Sequence, residues 1–132
     1  MDMQGGNSPA QAMDRHRKTL GKQGEDIASA WLAAEGMRIL HRNYRCRTGE
    51  IDIIGSIGGV LAFIEVRSRS SDRWGLPSES VNDRKKQKLQ KLASYYLYQK
   101  GKTELPYRFD VVSILFSQDG GVERLDWIQN AF

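Results

Sequence analysis

Two apolar, β-rich runs, residues 49–57 and 60–69, are joined by Gly58 and Gly59, and this unit constrains the fold more than any other part of the chain. Such runs separated by a glycine pair predict a β-hairpin. Side chains alternate between the faces of a strand, so Glu65 and Arg67 share one side while Val66 takes the other. Upstream, Ile27, Ala30, Trp31 and Ala34 recur at helical spacing and Gly36 is placed to end the helix, which predicts a first helix over about 20–36. Met37 to Arg45 predicts the first strand, and Arg45, Arg47, Thr48 and Gly49 turn the chain into the hairpin.

Downstream, Ser68 to Glu79 is rich in Ser, Asp, Arg, Gly and Pro and predicts a loop whose Trp74 and Leu76 fold back over the sheet edge. From Val81 to Lys100 a helix is predicted, with Leu89, Leu92, Ala93 and Tyr96 on one face and Gly101 at its end. Pro106 opens a strand over 109–116 that is apolar on both faces and so belongs inside a sheet, and residues 122–128 alternate as a last strand. The predicted order is α-β-β-β-α-β-β. A meander followed by a helical crossover implies an α/β fold, with a mixed central sheet of about five strands flanked by helices. Residues 1–18 mix Gly, Asn, Ser, Pro and charge without periodicity; they are expected to form a flexible arm outside a single domain over 19–132.

A chain of 132 residues has the size of one domain. No apolar stretch approaches the roughly 20 residues needed to span a bilayer, so no membrane partner is expected. Residues 1–17 lack the long apolar centre of a secretory signal, and the single cysteine, Cys46, has no internal disulfide partner; a reducing, cytoplasmic location is expected. The net charge of +4 suits a polyanionic partner without requiring one.

Asp52 lies between Ile51 and Ile53, where an unpaired carboxylate is costly or stays protonated, so it needs a partner. An ion pair with Arg67 is one solution. Glu65, between Ile64 and Val66 on the next strand, raises the same problem, and a metal ion shared by both acids is the other. Magnesium takes carboxylate oxygens and keeps several waters, and a cation beside it steadies a phosphate; phosphodiester hydrolysis is the chemistry such a site serves. Glu25, in the early turns of the first helix, reads on its own as an acid near the positive end of the helix dipole. Glu50 is either an outer neighbour of Asp52 or a solvated group. Arg84, Lys85, Lys86, Lys88 and Lys91, with Gln87 among them, form either a solvated helix face or a surface for a polyanion. Arg45 and Arg47 add charge at the hairpin entrance. Contacts of this kind bind a nucleic-acid backbone without reading its sequence. Asp110 is expected to pair with Arg108 or a helix lysine. Cys46 has no spacing that suggests zinc, and no phosphate loop, dinucleotide fingerprint or nucleophile elbow occurs.

The Asp-x12-Glu-x-Arg spacing of Asp52, Glu65 and Arg67 resembles the PD-(D/E)xK nuclease superfamily. Read in order, GKQGEDIASAWL (21–32), NYRCRTGEIDII (43–54), FIEVRSR (63–69), the Trp-Gly-x-Pro loop (74–77) and YRFDVVSI (107–114) resemble the bacterial YraN family, similar in fold to archaeal Holliday-junction resolvases. That resemblance implies a restriction-endonuclease-like sheet and Mg2+, or Mn2+, held by Asp52, Glu65 and Glu25. It also implies Gln87 and Lys88 near the scissile phosphate, branched DNA as substrate, and a homodimer matched to the symmetry of a four-way junction. The chain departs from the pattern at Arg67, where the superfamily usually has Lys. A guanidinium stays charged, so Arg67 is limited to donating hydrogen bonds and stabilising phosphate charge. The rival expectation is therefore a nucleic-acid-binding or scaffold module that keeps the fold without turnover.

Overall fold

Ile57 pairs with Val60 and Ser56 with Leu61 across Gly58 and Gly59, whose φ angles of 58° and 79° lie in the left-handed region that a two-residue hairpin turn demands. In a computed structural model, which describes residues 9–70 and 83–132 with side chains from Leu20 onward, this hairpin is the middle of the molecule. The elements are α1 (Pro9–Ala34), β1 (Arg38–Cys46), β2 (Gly49–Ile57), β3 (Val60–Ser70), α2 (Asp83–Gln99), β4 (Tyr107–Phe116) and β5 (Val122–Ile128). Their order is the expected α-β-β-β-α-β-β. One sheet runs β1-β2-β3-β4-β5, with β3 and β4 parallel across the α2 crossover and the other neighbours antiparallel.

The sheet divides the core in two. On one side Leu89, Leu92, Ala93, Tyr96 and Leu97 of α2 cover Ile51, Ile54, Leu61, Phe63 and Phe109. On the other, Ala28 and Leu32 of α1 cover Ile53, Ala62, Ile64, Val112, Ile114 and Phe116. Because β4 is covered on both faces and paired on both edges, it reads as a nearly unbroken apolar run, as expected of an interior strand. β5 closes one edge, and Trp127 meets Trp31 of α1 edge to face, with ring centres 5.8 Å apart.

The first helix begins at Pro9, well before its expected start, so residues 9–18 are helical rather than part of an irregular arm. Proline is tolerated in a first helical turn, where its missing N–H has no intrahelical acceptor. The following Ala, Gln, Met, Arg and Lys residues carry good intrinsic helix propensity, a signal independent of apolar periodicity. At its other end the helix stops as expected, with Gly36 at a φ of 101°. β3 continues to Ser70, past the expected loop start at Ser68; the rest of that expected loop, with Trp74 and Leu76, lies outside the described residues.

Candidate functional site

The site forms where the β2–β3 ladder ends. Pairing runs from Ile57 opposite Val60 to Ile53 opposite Ile64 and goes no further, while β2 remains paired with β1. Ile51 faces the α2 side of the sheet and Ile53 the α1 side, so the strict alternation of β2 is broken at Asp52. Opposite this break in β1, Asn43 takes a φ of 53°. The freed N–H of Val66 donates to Asp52 Oδ2 at 2.8 Å. Asp52 thus sits in the fork between two parting strands, half-buried.

Burial pushes the Asp52 carboxyl up from 3.8 to about 6, and the negative charges of Glu25, Glu65 and Glu50 push it the same way against the Val66 hydrogen bond. Glu65, on β3, is held by cations instead. Arg67 donates from Nε at 3.0 Å and approaches with Nη2 at 2.9 Å, both to Glu65 Oε2. Lys85, in the first turn of α2, makes an ion pair with Glu65 Oε1. The Arg67 ion pair expected as one option for Asp52 is thus made with Glu65.

Asp52 and Glu65 line one cavity of about 540 Å3 between α2 and the sheet, together with Arg84, Lys85, Lys88, Leu89 and Phe132. That volume suits a small ligand or one nucleotide unit, within the roughly 300–1,000 Å3 of ordinary binding pockets. Glu25 lines a separate groove with Lys22, Asp26, Arg42, Arg45 and Glu50, and acts on Asp52 through its charge. Arg45 is paired with Glu50 at 2.9 Å, and Arg47 lies with Arg45, Cys46 and Lys88 around a shallow groove at the hairpin entrance. Gln87 is exposed on α2 and does not line the cavity, and Lys86 places Nζ 6.0 Å from the Phe132 ring centre. The structure therefore brings together Asp52, Glu65, Lys85 and Lys88, with Arg67 attached through Glu65, and leaves Gln87, Lys86, Arg45 and Arg47 around the outside.

Arg84 and Phe132 line the cavity beside the expected acids and lysines. Arg84 belongs to the same basic run as Lys85 and was legible there as charge. Phe132 reaches the cavity from the end of the chain, stacked on Phe109 with ring centres 5.1 Å apart, and no local pattern marks it. Asp110 also borders the cavity, but its carboxylate is committed elsewhere: it accepts from Arg108 Nε, Trp127 Nε1 and the Asn130 N–H at 3.1, 2.9 and 3.0 Å. It is a structural acid, paired with Arg108 as expected.

The oxygen donors of Asp52 and Glu65 suit a hard divalent cation, and the charge pressing on Asp52 from its acidic neighbours is what such a cation would relieve. Among the described residues, no group of three or more His, Cys, Asp or Glu side chains is gathered closely enough to hold a metal ion alone. The residues fit an ion of the magnesium type, which is commonly held by one or two carboxylates and completed by water and substrate phosphate. No helix among the described residues is long and apolar enough to cross a membrane.

The profile of Uncharacterised protein family UPF0102 matches residues 24–114. A UPF0102 protein of Pelotomaculum thermopropionicum is 49% identical over 116 residues, covering 88% of this chain and 97% of that one. Those of Moorella thermoacetica and Desulforamulus reducens are 46% and 44% identical, covering 91% and 90% of this chain and 100% and 99% of theirs. The matched residues extend from Gly24 in α1 through the hairpin and the basic helix to Ile114 in β4, so they include every residue of the Asp52 cavity except Phe132. The chain belongs to the uncharacterised protein family UPF0102.

Proposed function

We propose that the protein is an endonuclease that hydrolyses phosphodiester bonds in structured or branched DNA with the help of Mg2+ or Mn2+. The observation that carries this reading is an acidic centre set inside a basic rim. Asp52, half-buried and pressed by Glu25, Glu50 and Glu65, opens into the same cavity as Arg84, Lys85 and Lys88. A polyanion drawn by the rim would bring its phosphate to the acids, whose negative charge a divalent cation held by Asp52 and Glu65 would offset. The chemistry supplied by that cation is polarisation of the phosphate and activation of the attacking water.

The roles of the chain's own residues follow. Asp52 and Glu65 would hold the cation, with Glu25 adding negative potential from its neighbouring groove. Arg67 fixes Glu65 and stabilises phosphate charge, which needs no proton transfer and so tolerates a guanidinium. Arg84 and Lys88 hold the backbone on the α2 side, while Arg45, Arg47, Lys86 and Gln87 extend that surface outward. The test is cleavage of a four-way DNA junction in Mg2+ or Mn2+ by the wild type, Asp52→Ala and Glu65→Ala. The reading expects cleavage by the wild type alone, with DNA binding retained in both variants.

A second reading is favoured by the state of Glu65. Both of its oxygens already meet cations from within the chain, Arg67 and Lys85, which is how a binding module without turnover would satisfy that acid. Such a module would bind DNA equally with and without divalent cation.

A further inference from the structure

We propose that Lys85 is an exchangeable counter-ion of Glu65, holding the carboxylate while no divalent cation is bound and passing to a nucleic-acid phosphate when the cation takes its place. The inference deepens the metal-dependent reading above and rests on it. Among the described residues two cations hold Glu65, and they are not equivalent. Arg67 lies two residues along the same strand and grips one oxygen with two nitrogens of a rigid planar fork. Lys85 reaches the other oxygen from α2, across the cavity, as a single ammonium on a flexible stem. The Lys85 side chain is 46% exposed, against 20% for Arg67 and 16% for Glu65, so of the two cations it is the one that water already solvates.

A divalent cation held by Asp52 and Glu65 would need a Glu65 oxygen, and the one paired with the Lys85 ammonium would be the more readily yielded. The released ammonium remains in the cavity beside Arg84 and Lys88, where three cations then face any phosphate that enters. The exchange therefore couples the two ligands: cation binding frees Lys85 for phosphate, and phosphate holds Lys85 away from Glu65. Linkage makes the coupling reciprocal.

The test is Mn2+ titration by calorimetry of the wild type, Lys85→Met and Lys88→Met, each with and without a four-way DNA junction that has been made resistant to cleavage. Lys88 lines the same cavity, and its loss removes a charge without releasing Glu65. Without DNA, Lys85→Met should bind Mn2+ about tenfold more tightly than the wild type, and Lys88→Met should gain less than about threefold. Junction DNA should tighten Mn2+ binding in the wild type, and most of that gain should be missing in Lys85→Met. Equal Mn2+ affinity in the wild type and Lys85→Met, weaker affinity in Lys85→Met, or equal gains in both variants would overturn the exchange while leaving the metal site standing. Absence of Mn2+ binding in all three proteins would overturn the metal-dependent reading and the exchange with it.

Discussion

The Asp52 carboxylate accepts the Val66 backbone N–H at 2.8 Å just beyond the last β2–β3 pair, so one side chain both ends the ladder and occupies the fork. The hydrogen bond favours the ionised form, yet burial and three acidic neighbours outweigh it. Ionising this carboxyl inside the fork therefore costs folding stability.

Folding stability should fall as pH rises through the Asp52 transition. The folded protein binds a proton up to about 6 where the unfolded chain releases it near 3.8, so the native state holds more protons in between and loses stability as they leave. At about 1.4 kcal/mol per pH unit this difference amounts to roughly 3 kcal/mol at most. Asp52→Asn keeps an acceptor for Val66 and removes the charge, so it should raise the unfolding free energy at pH 7.5 and leave it nearly unchanged at pH 4. Equal effects at both pH values in urea denaturation would count against this account. Divalent cation binding should weaken below about pH 6 for the same reason.

Asp110 should matter to folding and little to the metal. It is 1% exposed and gathers Arg108, Trp127 and Asn130 onto one carboxylate. Asp110→Ala leaves the Arg108 guanidinium buried without its counter-charge and should cost about 3–5 kcal/mol. A shift of the denaturation midpoint with unchanged Mn2+ affinity in the folded fraction is the expected result.

Gly24 lets α1, and with it Glu25, approach β3. A Cβ there would stand 1.8 Å from Ser68 Oγ and 3.1 Å from Ser68 Cβ. Gly24→Ala should therefore cost about 1–3 kcal/mol through overpacking. Among the described residues the buried Ser68 Oγ has no hydrogen-bond partner, so Ser68→Ala should be nearly neutral alone and recover part of the loss in the double variant. Additive losses in thermal unfolding would show that the clash is relieved elsewhere.

The basic rim should act on affinity through phosphates. Replacing Arg84 and Lys88 together by Ala should weaken duplex DNA binding and reduce the slope of log affinity against log salt by about 1.8, at about 0.9 per lost phosphate contact. A slope that does not change would place the nucleic acid on another face.

Periodicity and glycine placement carried most of the fold. Gly58 and Gly59 marked the hairpin, the apolar run from Phe109 to Phe116 marked an interior strand, and Leu89, Leu92, Ala93 and Tyr96 marked the buried face of α2. The start of α1 was hidden because residues 9–18 express helix propensity without an apolar stripe. At the site, the strand position of Asp52, Glu65 and Arg67 was legible from alternation. The break at Asp52 was not, since it depends on two strands parting in space. Lys85 on Glu65 and Phe132 on Phe109 are contacts between distant parts of the chain, which no local pattern encodes.

The central claim is that Asp52 and Glu65 form a divalent cation site serving phosphodiester hydrolysis. The most direct measurement is Mn2+ titration by calorimetry of the wild type beside Asp52→Ala at pH 7.5, followed by incubation of the same samples with a four-way DNA junction. Binding and cleavage by the wild type, both lost in Asp52→Ala, is the predicted result. Mn2+ binding that is absent from the wild type even with junction DNA present, or that survives unchanged in Asp52→Ala, would contradict it.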